Sequence, residues 1–310
     1  MNKFTNQEIE KLNKLRYYAK EMELGERLNK LIPSMGTPVN AVAASETLTL
    51  TGVVEHGEVL VIDADTYQFA ADEDGLLVDS GNIPVDISSY VTAATGTLTV
   101  DTQPTSGDTF TIGSKTYTFV PDGTANADGE ISVGADLAEA QVNIVDAING
   151  DDGFNTPNSD VTAADFVTDD SVIDAIIGGT VGNTISTTET FTAETNIFAA
   201  SAESSGADCS AADAITALAA TITNGFTAVD GDGDTLVVTS DVGGLVGNSV
   251  DISTDIANGS VGDTHLSGGV DGTPASAGEE YIDDDYLYKC IEDNTIADAN
   301  WRRISLGDVF

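Results

Sequence analysis

The stretch TLTVDTQPTSGDTFTIGSKTYTFVPD, residues 97–122, decides how this chain is read. Its second half is DTFTI, then Gly113-Ser114, then KTYTFV. Apolar and polar side chains alternate with a period of two on either side of a two-residue turn that begins with glycine, the pattern of a β-hairpin. Tyr117 and Phe119 lie two apart, hence on one face, and read as core residues. The same text occurs fifty residues earlier. Residues 47–72, TLTLTGVVEHGEVLVIDADTYQFAAD, match 97–122 without a gap at Thr47, Leu48, Thr49, Gly57, Ile62, Thr66, Tyr67, Phe69 and Asp72. Such self-similarity marks a duplicated unit.

Downstream, EISVGADLAEAQVNIVDAING (130–150) carries a helical stripe of Leu137, Val142, Ile144, Val145 and Ile148. The first copy has no helix at this point. A similar helix appears only at CSAADAITALAATITNG (209–225), with Ala214, Ile215, Leu218, Ala219 and Ile222 as its stripe. Beyond each helix a glycine run recurs at an offset of 65: Gly178, Gly179, Val181, Gly182 and Asn183 return as Gly243, Gly244, Val246, Gly247 and Asn248. One module is therefore expected to be inserted into its twin, with 46–95 plus 204–272 forming a discontinuous β module around an inserted module at 96–203. The rival arrangement is three beads in a row, and contacts between residues 58–70 and 209–260 separate the two. After a Gly- and Ala-rich stretch, 273–310 reads as a small C-terminal hairpin built on Tyr286–Ile291 and Trp301–Leu306. Trp301 is expected to anchor it. The fold class expected is mainly β with some helix, as β-sandwich modules. Thr (37 residues) and Gly (31) supply strand and turn composition.

Residues 1–45 differ from the rest. They hold seven of the eleven cations and five of the 52 acids, so this arm carries about +2 and the remainder about −43 of a net charge of −41. Ile9, Leu12, Leu15, Tyr18, Met22, Leu24, Leu28, Leu31 and Ile32 recur at spacings near three and four, the pattern of amphipathic helix broken near Gly25 and ended before Pro33. The arm packs either on its own domain or on a partner subunit. On the second reading the apolar docking residues are Leu12, Leu15, Tyr18, Met22, Leu28, Leu31 and Ile32. Lys11, Lys14, Arg16, Lys20 and Arg27 would steer it toward an anionic partner.

A polyanion of this size repels phosphate backbones and anionic headgroups, so neither nucleic acid nor membrane is an expected partner. An apolar fraction of 41% argues against a disordered acidic chain. Length exceeds what one core comfortably serves, roughly 250 to 300 residues. Cys209 and Cys290 are too few and too distant for a disulfide framework, and His56 and His265 are the whole histidine complement. Asp230, Asp232 and Asp234 in DGDGDT resemble the opening of a calcium loop, but Thr235 stands where glycine belongs and Asp241 where a bidentate glutamate belongs. They read as an acidic turn, with calcium the one cofactor the run could suggest. No nucleophile, zinc or phosphate-loop motif occurs, and the chain is not expected to be an enzyme.

The repeat GTLTV, GDTFTIGSKTYTFV, EISVGADLAEAQVNIVDAIN and VGN resembles modules that recur in structural proteins of tailed bacteriophages. The ending YIDDDYLYKC with NTIADANWRRISLG is similar to C-terminal segments of phage head and tail accessory proteins. This resemblance spans most of 46–310 and implies a virion protein of the head surface, either capsid decoration or head fibre. It also implies a homo-oligomer, a trimer foremost, docked by its arm on the major capsid protein, and no catalytic residues. The alternative is a tail-fibre or host-adhesion protein, with the modules and the Trp301 hairpin meeting a cell-surface glycan.

Overall fold

The computed structural model describes residues 39–274, 277–282, 286–293, 295, 297 and 300–305. The arm residues named above, from Ile9 through Lys11 and Leu12 to Ile32, lie outside them. The described residues are mostly β with two α-helices. It divides into two compact units, one comprising Ser45–Asp241 and Asn248–Ser267, the other Val242–Gly247 and Gly268–Phe310 with the chain up to Ala44.

The strands run in two matching sets. The outer set opens with β1 (Ala43–Leu50), β2 (Val59–Ile62), β3 (Asp65–Ala70) and β4 (Ile83–Asp86). An inner set follows: β5 (Ala93–Thr99), β6 (Thr109–Ile112), β7 (Lys115–Val120), β8 (Glu130–Ser132), α1 (Leu137–Asn149), β9 (Val161–Ala163), β10 (Asp170–Gly178), β11 (Thr187–Glu189) and β12 (Ile197–Phe198). The outer set then resumes with α2 (Ala211–Thr221), β13 (Phe226–Asp230), β14 (Thr235–Gly243), β15 (Ile252–Thr254) and β16 (Gly259–Val261). The inner strands form sheets β12-β5-β10-β9 and β11-β6-β7-β8, and the outer strands form β13-β14-β1-β16 and β15-β2-β3-β4. Strand for strand, the order is the same. β2 pairs with β15 across the whole insertion, Ile62 facing Ile252 and Leu60 facing Thr254; three separate beads would lack this pairing. At the root of the insertion Thr92 and Ala207 exchange both backbone hydrogen bonds, at 2.8 and 3.0 Å.

Local chemistry explains the elements. The β6–β7 turn places Gly113 at φ 60, and the β2–β3 turn places Asp63 at φ 53, a left-handed conformation that aspartate tolerates better than most residues. Asp63 N donates to Asp251 O and Gly113 N to Ser186 O, both at 2.8 Å, so the offsets of 50 and 65 hold in the bonding as well as in the text. α1 starts where the Asp136 carboxylate accepts from Glu139 N at 3.0 Å, while Glu139 reaches back to Ala135 N at 2.9 Å. It stops at Gly150, left-handed at φ 77. α2 starts on the Ser210 hydroxyl.

The inner core joins both sheets and α1 through Leu98, Phe110, Ile112, Tyr117, Phe119, Ile144, Ile148, Ile173 and Phe198. Phe110 stacks on Tyr117 at 4.9 Å between ring centroids. Each such fully buried side chain contributes roughly 1.5–3 kcal/mol. Val142, read from spacing as part of the α1 stripe, is 57% exposed: at 100° per residue it stands some 200° from Ala140 and Ile144, which are buried with Val145, Ala147 and Ile148. β1 begins at Ala43, so the last residues assigned to the arm belong to a strand.

In the second unit the expected C-terminal hairpin is a three-stranded sheet, because β17 (Glu280–Ile282) adds to β18 (Tyr286–Cys290) and β19 (Trp301–Ser305). Trp301, Tyr288 and Cys290 form its core with Tyr286 packed against them. Asn40 brackets Trp301, accepting from its amide at 2.9 Å and donating to its carbonyl at 3.2 Å.

Candidate functional site

Asp230, Asp232 and Asp234 form the turn between β13 and β14. Gly231 N donates to Thr235 O at 2.8 Å, and the Asp230 carboxylate accepts from Gly233 N at 3.1 Å. That carboxylate is used in closing the turn. Among the described residues no three His, Cys, Asp or Glu side chains are arranged to hold a metal ion.

Carboxylates also line two clefts. One, of about 550 Å³, lies between the outer and inner strand sets and is bordered by Asp72, Asp74, Val91, Asp174 and Gly178. Asp72 is internally engaged, accepting from Leu77 N at 2.9 Å and Leu76 N at 3.2 Å. The second, of about 390 Å³, lies beside α1 and is bordered by Asp122, Glu139, Asn143, Asp146 and Asp152. Burial, then the neighbouring Asp151, Asp152 and Asp165, hold Asp146 above the usual carboxylate range. In the second cleft the Ser132 hydroxyl donates to the Asp122 carboxylate at 3.0 Å and accepts from Gly123 N at 2.8 Å.

Cys209, His56 and Lys115 are engaged within the fold. Burial pushes the Cys209 thiol up to about 12, which removes its nucleophilic form at neutral pH. His56 Nδ1 accepts from Ala71 N at 3.1 Å, and burial lowers its pKa against the opposing pull of Asp72 and Asp79. Lys115 pairs with Asp128 at 2.8 Å, bonds the Thr156 carbonyl and lies 5.1 Å from the Tyr117 ring centroid. The glycine runs are packing devices: Gly182 is buried in a short 3-10 turn, and a Cβ there would come within 2.7 Å of Ala94 Cβ and 2.9 Å of Ala175 Cβ.

Trp301 does not offer a stacking platform. It is 6% exposed and its Nε1 donates to Thr273 O at 2.7 Å, as expected of an anchor of the small C-terminal core. Sequence reasoning passed over Glu203, a buried carboxylate. Aligning the repeats there requires a two-residue gap, and one glutamate among 52 acids draws no notice. No described helix is long and apolar enough to cross a membrane. The chain matches no protein family, no curated protein and no solved structure.

Proposed function

We propose that this chain is a structural subunit of a tailed-bacteriophage virion, of the capsid-decoration or head-fibre type, that performs no reaction. The observation that carries this reading is the joining of a slightly cationic, apolar-striped arm to a body of two like-ordered β modules that holds nearly all of a net charge of −41. Charge of one sign keeps such a body soluble at high local concentration and off the packaged nucleic acid. The arm, of opposite sign, supplies the apolar surface for docking on the major capsid lattice, and a symmetric homo-oligomer is the expected form.

The test is co-sedimentation of the full chain with capsids lacking decoration. Leu12→Asp with Leu15→Asp and Leu28→Asp should abolish pelleting while leaving the far-ultraviolet spectrum of the body unchanged. Pelleting undiminished by these substitutions would sink the reading.

A further inference from the structure

Glu203 lies on the segment 199–207, which follows β12, runs beside β5 and leads back toward α2. Its backbone is tied on both sides: Glu203 N donates to Ile185 O at 3.0 Å, and Ser204 and Thr95 exchange both bonds at 3.0 and 2.9 Å. The side chain is not. It is 2% exposed, and neither carboxylate oxygen has a hydrogen-bond partner. It fills the space that Gly96 leaves open, since a Cβ at Gly96 would stand 2.5 Å from Oε2 and 2.6 Å from Oε1. Gly96 shares a face of β5 with the buried Ala94 and Leu98, so the carboxylate occupies the interior side of that strand.

The outer module shows what this corner otherwise holds. There the residue whose amide donates to the matching carbonyl, Val250 O, is Leu266, 1% exposed. The position matching Gly96 is Glu46, whose carboxylate accepts from Thr47 N at 2.8 Å. The inner module thus has a glutamate in a leucine's place and a glycine in a glutamate's place. An ionised carboxylate without donor or cation is strongly disfavoured in such a setting. Asp174 of β10, in register with Thr95 and therefore on the other face of the sheet, adds like-charge repulsion in the same sense; Thr95, Gly96 and Thr97 of β5 and Ile185 bring no charge.

We infer that Glu203 makes closure of the inner module proton-dependent: segment 199–207 is seated with Glu203 as a neutral acid and loosens when that acid loses its proton. Burial first and Asp174 second push the pKa of Glu203 up to about 7, against 4.5 for an ordinary glutamate. The folded chain therefore holds a proton that the opened segment releases, and stability falls as pH rises from 4.5 to 7 and is level above. His56 acts with the opposite sign, since its lowered pKa makes stability rise with pH up to about 6.5. A local measurement separates the two.

Amide exchange in 199–207 of the full chain, corrected for intrinsic rates, should lose protection by roughly tenfold or more between pH 5 and pH 8. Glu203→Leu should level that dependence. Asp174→Asn should move its midpoint to lower pH and decides the matter if Glu203→Leu does not fold. Protection independent of pH or rising with it in the unaltered chain, dependence that survives Glu203→Leu, or a midpoint unmoved by Asp174→Asn would each overturn the inference. None of these readouts involves a capsid, so the virion reading stands or falls separately.

Discussion

Asn158 Nδ2 donates to the hydroxyl of Tyr117 at 3.3 Å inside the inner core, whereas Tyr67, the counterpart of Tyr117 fifty residues earlier, keeps its buried hydroxyl without a partner. The residue that matches Asn158 at the offset of 65 is Thr223, which is exposed. One duplicated tyrosine thus has its polar tip satisfied and the other does not.

The same substitution should accordingly act with opposite sign at the two sites. Tyr67→Phe removes an unpaired buried hydroxyl and should leave stability unchanged or raise it by up to about 1 kcal/mol. Tyr117→Phe leaves the buried Asn158 amide short of an acceptor and should cost about 1–3 kcal/mol. Urea unfolding of the two variants under one set of conditions checks this.

Asp63 adopts a left-handed conformation that Gly113 takes up without a side chain in the sister turn. Asp63→Gly should relieve that conformational penalty and raise stability by about 1 kcal/mol, read as a higher urea midpoint at unchanged slope. Gly113→Ala should lower it.

Lys115 contributes to the acid limb. The hydrogen bond from Lys115, then that from the Thr156 amide, hold Asp128 below the usual carboxylate range. A depressed folded pKa gives stability that is present above the unfolded value of 3.8 and is lost as pH falls through the folded value. Lys115→Met should therefore move acid unfolding to higher pH. An unchanged acid midpoint by circular dichroism would refute the assignment.

Because Thr92 and Ala207 are a directly bonded pair, replacing residues 93–206 by a short Gly-Ser link should leave the outer strands able to pair. The shortened chain should fold with the α2 helix intact, detectable in its far-ultraviolet spectrum. A collapsed, aggregated product would mean that the outer strands depend on the insertion for their order.

Much of this architecture was legible in the chain itself, because a strand and a hairpin repeat their side-chain alternation whatever surrounds them. Thr47-Leu48-Thr49 against Thr97-Leu98-Thr99, and Gly243-Gly244 against Gly178-Gly179, mark the two registers from which the nested order was read. Helix caps at Asp136 and Ser210 are equally local. The outward position of Val142 was not legible, since a periodic stripe does not reveal how wide a face the neighbouring sheets cover. Nor was β17, which owes its place to pairing with β18.

Sequence alone thus determined that the chain is duplicated, β-rich and charge-segregated, because alternation, turn residues and charge are properties of neighbours along the chain. Only the tertiary structure decided that Ile62 meets Ile252, that Trp301 is enclosed and that Glu203 takes the place its sister gives to Leu266. Those outcomes depend on which distant segments share a sheet corner, and the desolvation that gives a carboxylate its consequence exists only once they have met.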